Sequence, residues 1–290
     1  MHDQAQNSSD MTKKDATATV GTKVITVTSG KGGVGKSSVT VALAITIAQR
    51  GLRVLIIDAD FGFANIDVML GVTATYDLSH VINGGVDIMD IVLDGHHGVK
   101  FISGGSGVFD LMNIGDEQLH SIVTSLLKLE DVADVIIFDT GAGVNENILQ
   151  LVQSSTETII VTTPEPTAAM NAYAMMKTID QLPEKPPIKL IINKAENVKE
   201  ARHVTQSLID VSSKYLKLDI SDLGYILYDP VVGRSVKAQE PFVVAYPKST
   251  AAVNVRTIVS TLIDAPGTVA LADERRGFSR FLRKFLFPYG

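Results

Sequence analysis

Val24-Ile25-Thr26-Val27-Thr28 runs straight into Ser29-Gly30-Lys31-Gly32-Gly33-Val34-Gly35-Lys36-Ser37, and an apolar stretch of helical period, Ser38–Arg50, follows. Strand, glycine-rich loop and helix in that order form the context that a phosphate-binding loop requires. The glycines let successive backbone N–H groups turn inward around phosphate oxygens, beside the positive end of the helix dipole. Lys36 stands where it can neutralise the β- and γ-phosphates of ATP, and the Ser37 hydroxyl where it can ligate Mg²⁺. Gly30, Lys31, Gly32, Gly33, Val34, Gly35, Lys36, Ser37 and Ser38 are the candidate phosphate-binding residues.

Outward from this loop the chain alternates. β-branched runs at Val24–Thr28, Val54–Asp58, Val135–Asp139, Thr158–Thr163 and Ile188–Asn193 predict strands. Between them, Ser38–Arg50, Gln118–Leu129, Thr167–Leu182 and Ala201–Tyr215 have helical period. Nearly continuous apolar strands indicate a sheet covered on both faces, and the alternation indicates parallel βαβ units. The expected fold is α/β, with a single doubly wound, mostly parallel sheet flanked by helices. The expected organisation is a flexible polar tail over 1–21, one nucleotide-binding domain over 22–265, and a distinct tail over 266–290 after the break at Ala265-Pro266-Gly267.

The bulk composition excludes several classes. With no cysteine in 290 residues there is no disulfide scaffold, thiolate metal site or cysteine nucleophile. A net charge of −6 disfavours a body that coats nucleic acid, so no specific nucleic-acid partner is expected. The polar N-terminus lacks a signal-peptide core, and no apolar run approaches the roughly 20 residues that span a bilayer. The expected location is cytoplasmic, with any membrane contact made at the inner surface.

Two more strands end in acids. Leu55-Ile56-Ile57-Asp58-Ala59-Asp60 and Val135-Ile136-Ile137-Phe138-Asp139-Thr140-Gly141-Ala142-Gly143 both finish where an open parallel sheet forms its ligand crevice. Their carboxylates are expected to face Mg²⁺ and the γ-phosphate. Lys31 makes the loop more particular. It reaches its own γ-phosphate less well than Lys36 does, and is better placed to donate to the nucleotide of a second copy.

The Lys-Gly-Gly-x-Gly-Lys-Ser form of 31–37 resembles the deviant phosphate loop of the MinD/ParA ATPases. There the first lysine acts across a dimer, and Lys31 takes that position here. The resemblance implies that Asp60 orients the attacking water with Asp58 in support. It also implies that Asp139 acts on Mg²⁺ through its water shell, and that the Gly141–Gly143 turn senses the γ-phosphate. Asn193, at the end of Leu190-Ile191-Ile192-Asn193-Lys194, resembles the base-contacting position. The segment from Asp229-Pro230 to Pro241 resembles the one that borders the base.

Within that family, Asp58-Ala59-Asp60-Phe61-Gly62-Phe63-Ala64-Asn65-Ile66-Asp67-Val68-Met69-Leu70-Gly71 and Ile102–Gly107 resemble the FlhG (FleN, YlxH) regulators of flagellar number. Asp3-Gln4-Ala5 resembles the start of the FlhG segment that activates the GTPase FlhF, although Ser8-Ser9 stand where Leu-Arg is usual. The implied activity is ATP hydrolysis by an ATP-dependent homodimer, with an FlhF-type GTPase and flagellar basal-body proteins as partners. A division-site MinD (partners MinC and MinE) and a ParA-type DNA-partition ATPase are the alternatives. A reductase with an iron–sulfur cluster is excluded by the missing cysteines.

At the other end, Phe278, Phe281, Leu282, Phe285 and Leu286 follow i, i+3, i+4, i+7, i+8, which is one apolar helix face. Arg280, Arg283 and Lys284 lie off that stripe. Aromatic on one side and basic on the other suits an anionic membrane surface. The competing expectation is a terminal helix docked on the body, and the two arrangements can alternate.

Overall fold

The computed structural model describes residues 21–60, 66–104, 107–111, 114–264 and 277–287, with the backbone alone for 116–118. In chain order these form β1 (Lys23–Ser29), α1 (Lys36–Ala48), β2 (Val54–Ala59), α2 (Ile66–Leu70), α3 (Leu78–Ile82), β3 (Leu93–Asp94), β4 (Lys100–Ser103) and α4 (Gly107–Asp110). Next come α5 (Asp116–Leu127), β5 (Val135–Ala142), α6 (Glu146–Ser154), β6 (Glu157–Thr162), α7 (Pro166–Ile179), β7 (Ile188–Ala195) and α8 (Val198–Tyr215). The chain then forms β8 (Ile220–Leu227), α9 (Pro230–Ala238), α10 (Phe242–Ala245), α11 (Thr250–Asp264) and α12 (Phe278–Leu286). Among the described residues no helix is long and apolar enough to cross a membrane.

The eight strands pair in the order β3-β4-β2-β5-β1-β6-β7-β8. All pairings are parallel except β3 with β4. This is the doubly wound sheet that the alternation predicted. Side chains of a strand alternate between faces, and β1 divides accordingly. Ile25 and Val27 enter the core beneath α1 and α11, whereas Val24 enters the opposite one with Leu55, Ile136 and Phe138. From β1 the chain winds to β2 on one side, and from β5 it crosses to β6 on the other. The carboxyl end of β1 therefore lies at the switch point, where such sheets open a crevice.

Three strands escaped the sequence reading. Leu93–Asp94 and Lys100–Ser103 are too short to show a pattern. Ile220–Leu227 is an edge strand, half of it open to solvent, so its run Ile-Ser-Asp-Leu-Gly-Tyr-Ile-Leu is not continuously apolar. Asp3, Gln4 and Ala5, and the Phe61–Asn65 part of the resemblance, lie outside the described residues.

The C-terminal helix takes the docked one of its two expected arrangements. The stripe predicted to face a membrane is docked on the sheet, with Phe278, Phe281, Leu282 and Phe285 between 1% and 3% exposed. Phe281 stacks on Phe138 of β5, with ring centroids 4.9 Å apart, and also on Phe278 and Phe285. Gln150 of α6 donates from Nε2 to the Lys284 carbonyl (2.9 Å), and Glu130 accepts the Ser279 N–H (2.9 Å). The reason is the ordinary hydrophobic effect: a face of four aromatic or aliphatic side chains gains by covering Phe138 rather than meeting water. In this arrangement 278–286 belongs to the core and is not a free arm.

Phe101 of β4 is wholly buried in the central core. Phe101→Ala is expected to lower the unfolding free energy in urea by about 3–5 kcal/mol. Phe281→Ala should instead accelerate amide exchange selectively across 278–286 and move the global midpoint less. Equal global losses from the two substitutions would contradict separate docking of α12.

Candidate functional site

The crevice is built around Asp139, near the end of β5 and directly beside Val27 of β1 in register. Its carboxylate is 1% exposed and is fully engaged. Lys36 Nζ donates to Oδ2 at 2.9 Å, the Ser37 hydroxyl donates to the same oxygen at 2.6 Å, and Thr40 Oγ1 donates to Oδ1 at 2.6 Å. Lys36 is itself only 7% exposed and also donates to Ser37 Oγ at 3.3 Å. A buried carboxylate is tolerable only with this degree of pairing.

The loop from Gly30 to Gly35 connects β1 to α1 and is braced from three directions. Asn193 Nδ2 donates to the Val34 carbonyl (2.8 Å), Lys194 Nζ donates to the Gly33 carbonyl (2.7 Å), and Ser29 Oγ donates to the Lys31 carbonyl (3.1 Å). Two glycines are obligatory. Gly35 has φ +91° at the start of α1, with Asn193 Nδ2 2.5 Å from where a Cβ would sit. Gly30 lies so close to α7 that a Cβ would fall 2.3 Å from the Asn171 carbonyl oxygen. α1 has no side-chain cap, which leaves its first N–H groups free of a protein side-chain acceptor. Uncapped helix donors, a lysine and a serine hydroxyl together fit a Mg²⁺-bound polyphosphate.

Asp58 and Asp60 come from β2. Asp58 is buried, and its carboxylate accepts the N–H of Asp60 (3.0 Å) and of Ile66 (3.4 Å), so it shapes the turn that presents Asp60. Asp60 lies against Gly141, where a Cβ would stand 3.0 Å from Oδ1. Burial pushes the Asp60 carboxyl above the usual range; the Lys36 charge opposes this shift and the Asp139 charge adds to it. Gly143 does not point its N–H into the loop but donates to the Ser29 carbonyl at 2.8 Å.

Lys31 is held on its own chain. Its Nζ donates to Glu165 Oε2 at 2.8 Å and to Thr167 Oγ1 at 3.0 Å, and 38% of its side chain remains exposed. The Lys31 ammonium holds the Glu165 carboxyl below its usual range. Asp229 caps α9 by accepting the Val231 N–H (3.1 Å) and accepts the Ala251 N–H of α11 (3.4 Å), with Pro230 in the first turn. Ser38, on the first turn of α1, donates to Met69 Sδ at 3.9 Å.

The structure thus gathers Lys36, Ser37, Asp58, Asp60 and Asp139 at one crevice. It uses Asn193 as a loop brace and Asp229 as a helix cap. Thr40, Glu165, Thr167 and Lys194 were not anticipated. Thr40 had a signal, since it lies four residues after Lys36 and shares its helix face. Glu165 and Thr167 follow the end of β6, beside β1, which only the strand order reveals.

Fold and site define a P-loop nucleotide-binding protein. The ParA family model, described as "NUBPL iron-transfer P-loop NTPase", matches residues 21–263. The chain belongs to the ParA/MinD family of P-loop NTPases. It is 32% identical to the antiactivator FleN of Pseudomonas aeruginosa over 244 residues, 84% of this chain and 87% of that protein. It is also 32% identical to the flagellum site-determining protein YlxH of Helicobacter pylori over 267 residues, 91% and 90% of the two chains. The fold matches the septum site-determining protein MinD of Pyrococcus horikoshii, solved with Mg-ADP, with a TM-score of 0.67 and 23% identity over 86% of this chain and 99% of that one. The resemblance drawn from the loop and from Asp58–Gly71 is borne out.

Because the Asp60 carboxyl is raised, the native state holds its proton to higher pH than the unfolded chain does. Asp60 therefore costs stability above that window, neutral pH included, and the cost disappears as pH falls below the ordinary carboxylate value. Asp60→Asn is expected to abolish ATP turnover while leaving the melting temperature at pH 7 unchanged or higher. A lower melting temperature together with lost turnover would mean that Asp60 is structural.

Proposed function

We propose that this protein is an ATP-hydrolysing, dimerising switch that governs flagellar number or placement, and that it attaches to the membrane in its ATP state. The observation that carries the proposal is the position of Lys31 beside a loop whose own phosphate lysine, Lys36, is already engaged at Asp139. Lys31 lies at the rim, partly exposed and clipped to Glu165 and Thr167, within reach of another molecule's surface. The similarity to FleN and YlxH supports the flagellar role.

In this reading Lys36 turns from Asp139 to the β- and γ-phosphates, and the Ser37 hydroxyl and the Asp139 carboxylate serve the metal, Asp139 through water. Mg²⁺, which these two side chains would hold, would supply positive charge to neutralise the developing phosphate charge. Asp60, presented by Asp58, orients water toward the γ-phosphorus. Water adds there, the bond to the β-phosphate oxygen breaks, and ADP, inorganic phosphate and a proton result. Lys31 leaves Glu165 and donates to the partner's nucleotide, so turnover requires two copies. Asn193 and the Asp229-Pro230 turn form the shelf for adenine.

Docking of α12 suits such a switch. Burying each of its large apolar side chains contributes roughly 1.5–3 kcal/mol. Ordering its nine residues costs about 1–2 kcal/mol apiece, so docking and release lie near balance. Once released, Phe278, Phe281, Leu282, Phe285 and Leu286 enter an anionic bilayer surface, with Arg280, Arg283 and Lys284 at the headgroups. Two such helices in a dimer bind by avidity. Asp3, Gln4 and Ala5 would engage an FlhF-type GTPase.

Flotation with anionic vesicles tests the whole sequence of events. The full chain is expected to float with ATP and not with ADP. Residues 1–274 should not float at all, and Lys31→Ala should stay monomeric and unbound with ATP. Equal flotation of all four samples would sink the proposal.

A further inference from the structure

Asp139 is held on both of its oxygens, and a nucleotide would act on the two holds differently. Lys36 and Ser37 donate to Oδ2, at 2.9 and 2.6 Å. Thr40 Oγ1 donates to Oδ1 at 2.6 Å, and among the described residues this oxygen has no other donor. In the proposed function Lys36 and Ser37 turn toward phosphate and metal, while Thr40 has no part.

Thr40 is placed to stay. It is wholly buried on α1, one turn beyond Lys36, and a β-branched side chain has little freedom about χ1 in a helix. A threonine inside a helix can return its hydroxyl to the carbonyl four residues earlier, and the Lys36 carbonyl lies 3.2 Å away. A hydroxyl has a single proton to give. The shorter, charge-assisted bond to the carboxylate takes it, so Thr40 spends on Asp139 a bond that the helix could have used.

The terminal torsion of an aspartate is broad. A carboxylate released by Lys36 and Ser37 would therefore swing about its last bond unless another donor held it. We propose that Thr40 is a positioning residue for this carboxylate: its hydroxyl keeps Oδ1 fixed when Lys36 and Ser37 leave, so that Oδ2 stays aimed at the crevice. Thr40 acts only through Asp139, and its role rests on the reading that Asp139 serves Mg²⁺ through water. Outer partners of this kind typically carry about 10–100-fold of the metal affinity.

Binding of the fluorescent nucleotide mant-ADP to the full chain, titrated with Mg²⁺ from an EDTA-buffered start, tests this without turnover. The Mg²⁺ concentration that half-completes the rise in nucleotide affinity is expected to be about tenfold or more higher in Thr40→Val than in the unaltered chain. Thr40→Ser should nearly restore it, and affinity for mant-ADP in EDTA should be alike in all three. Beside Asp139→Asn, Thr40→Val should add no further shift, because the two residues act as one unit. Thr40→Ala, read the same way, replaces the valine chain if that one does not fold. An unaltered Mg²⁺ requirement in the valine chain overturns the proposal. So does a shift that persists in full beside Asp139→Asn, or an equal loss of affinity with and without Mg²⁺. If Mg²⁺ has no effect on the unaltered chain, the reading of Asp139 as a metal-serving group falls, and the role of Thr40 with it.

Discussion

The crevice depends on one buried ion pair, Lys36 with Asp139, closed off by the hydroxyls of Ser37 and Thr40. Removing one partner of such a pair leaves an uncompensated charge, typically at a cost of about 3–5 kcal/mol. The pair therefore fixes the start of α1 against the end of β5. The glycine loop is strung between those anchors, and Asn193 and Lys194 of β7 hold its outer curve. A phosphate chain arriving there offers Lys36 and Ser37 the negative charge they now find at Asp139. Little reorganisation is then needed, which is how preorganised electrostatics lower barriers.

Much of this was legible because the chemistry is local. Strand, glycine loop and helix stand together in Val24–Arg50, and the acids at Asp58, Asp60 and Asp139 end runs of apolar residues that cross the sheet. Order among the strands was not legible. Nothing in Thr163-Pro164-Glu165 says that it will lie beside β1, so the clip of Glu165 and Thr167 on Lys31 needed three dimensions. Asn193 shows a different limit. Its place at a strand end was plain, but whether it would face a base or brace Val34 depends on a 2.8 Å contact across 159 residues. The short strands β3 and β4 and the half-exposed β8 were invisible because neither length nor alternation marked them.

The C-terminal stripe shows why amphipathic patterns are ambiguous. A helix face of Phe278, Phe281, Leu282 and Phe285 suits a bilayer and a protein groove for the same reason, since both remove apolar area from water. The structure satisfies it with Phe138 of β5, one residue before the carboxylate that organises the nucleotide site. Phosphate chemistry and helix docking thus share strand β5, with Asp139 serving one and Phe138 the other.

The central claim is that turnover needs a lysine from a second copy. Steady-state ATP hydrolysis per subunit, measured across a dilution series of the full chain, tests this most directly. If Lys31 completes the partner's site, the rate per subunit rises with protein concentration and levels off once the dimer is saturated. A rate per subunit that stays constant down to concentrations where the protein sediments as a monomer would contradict it.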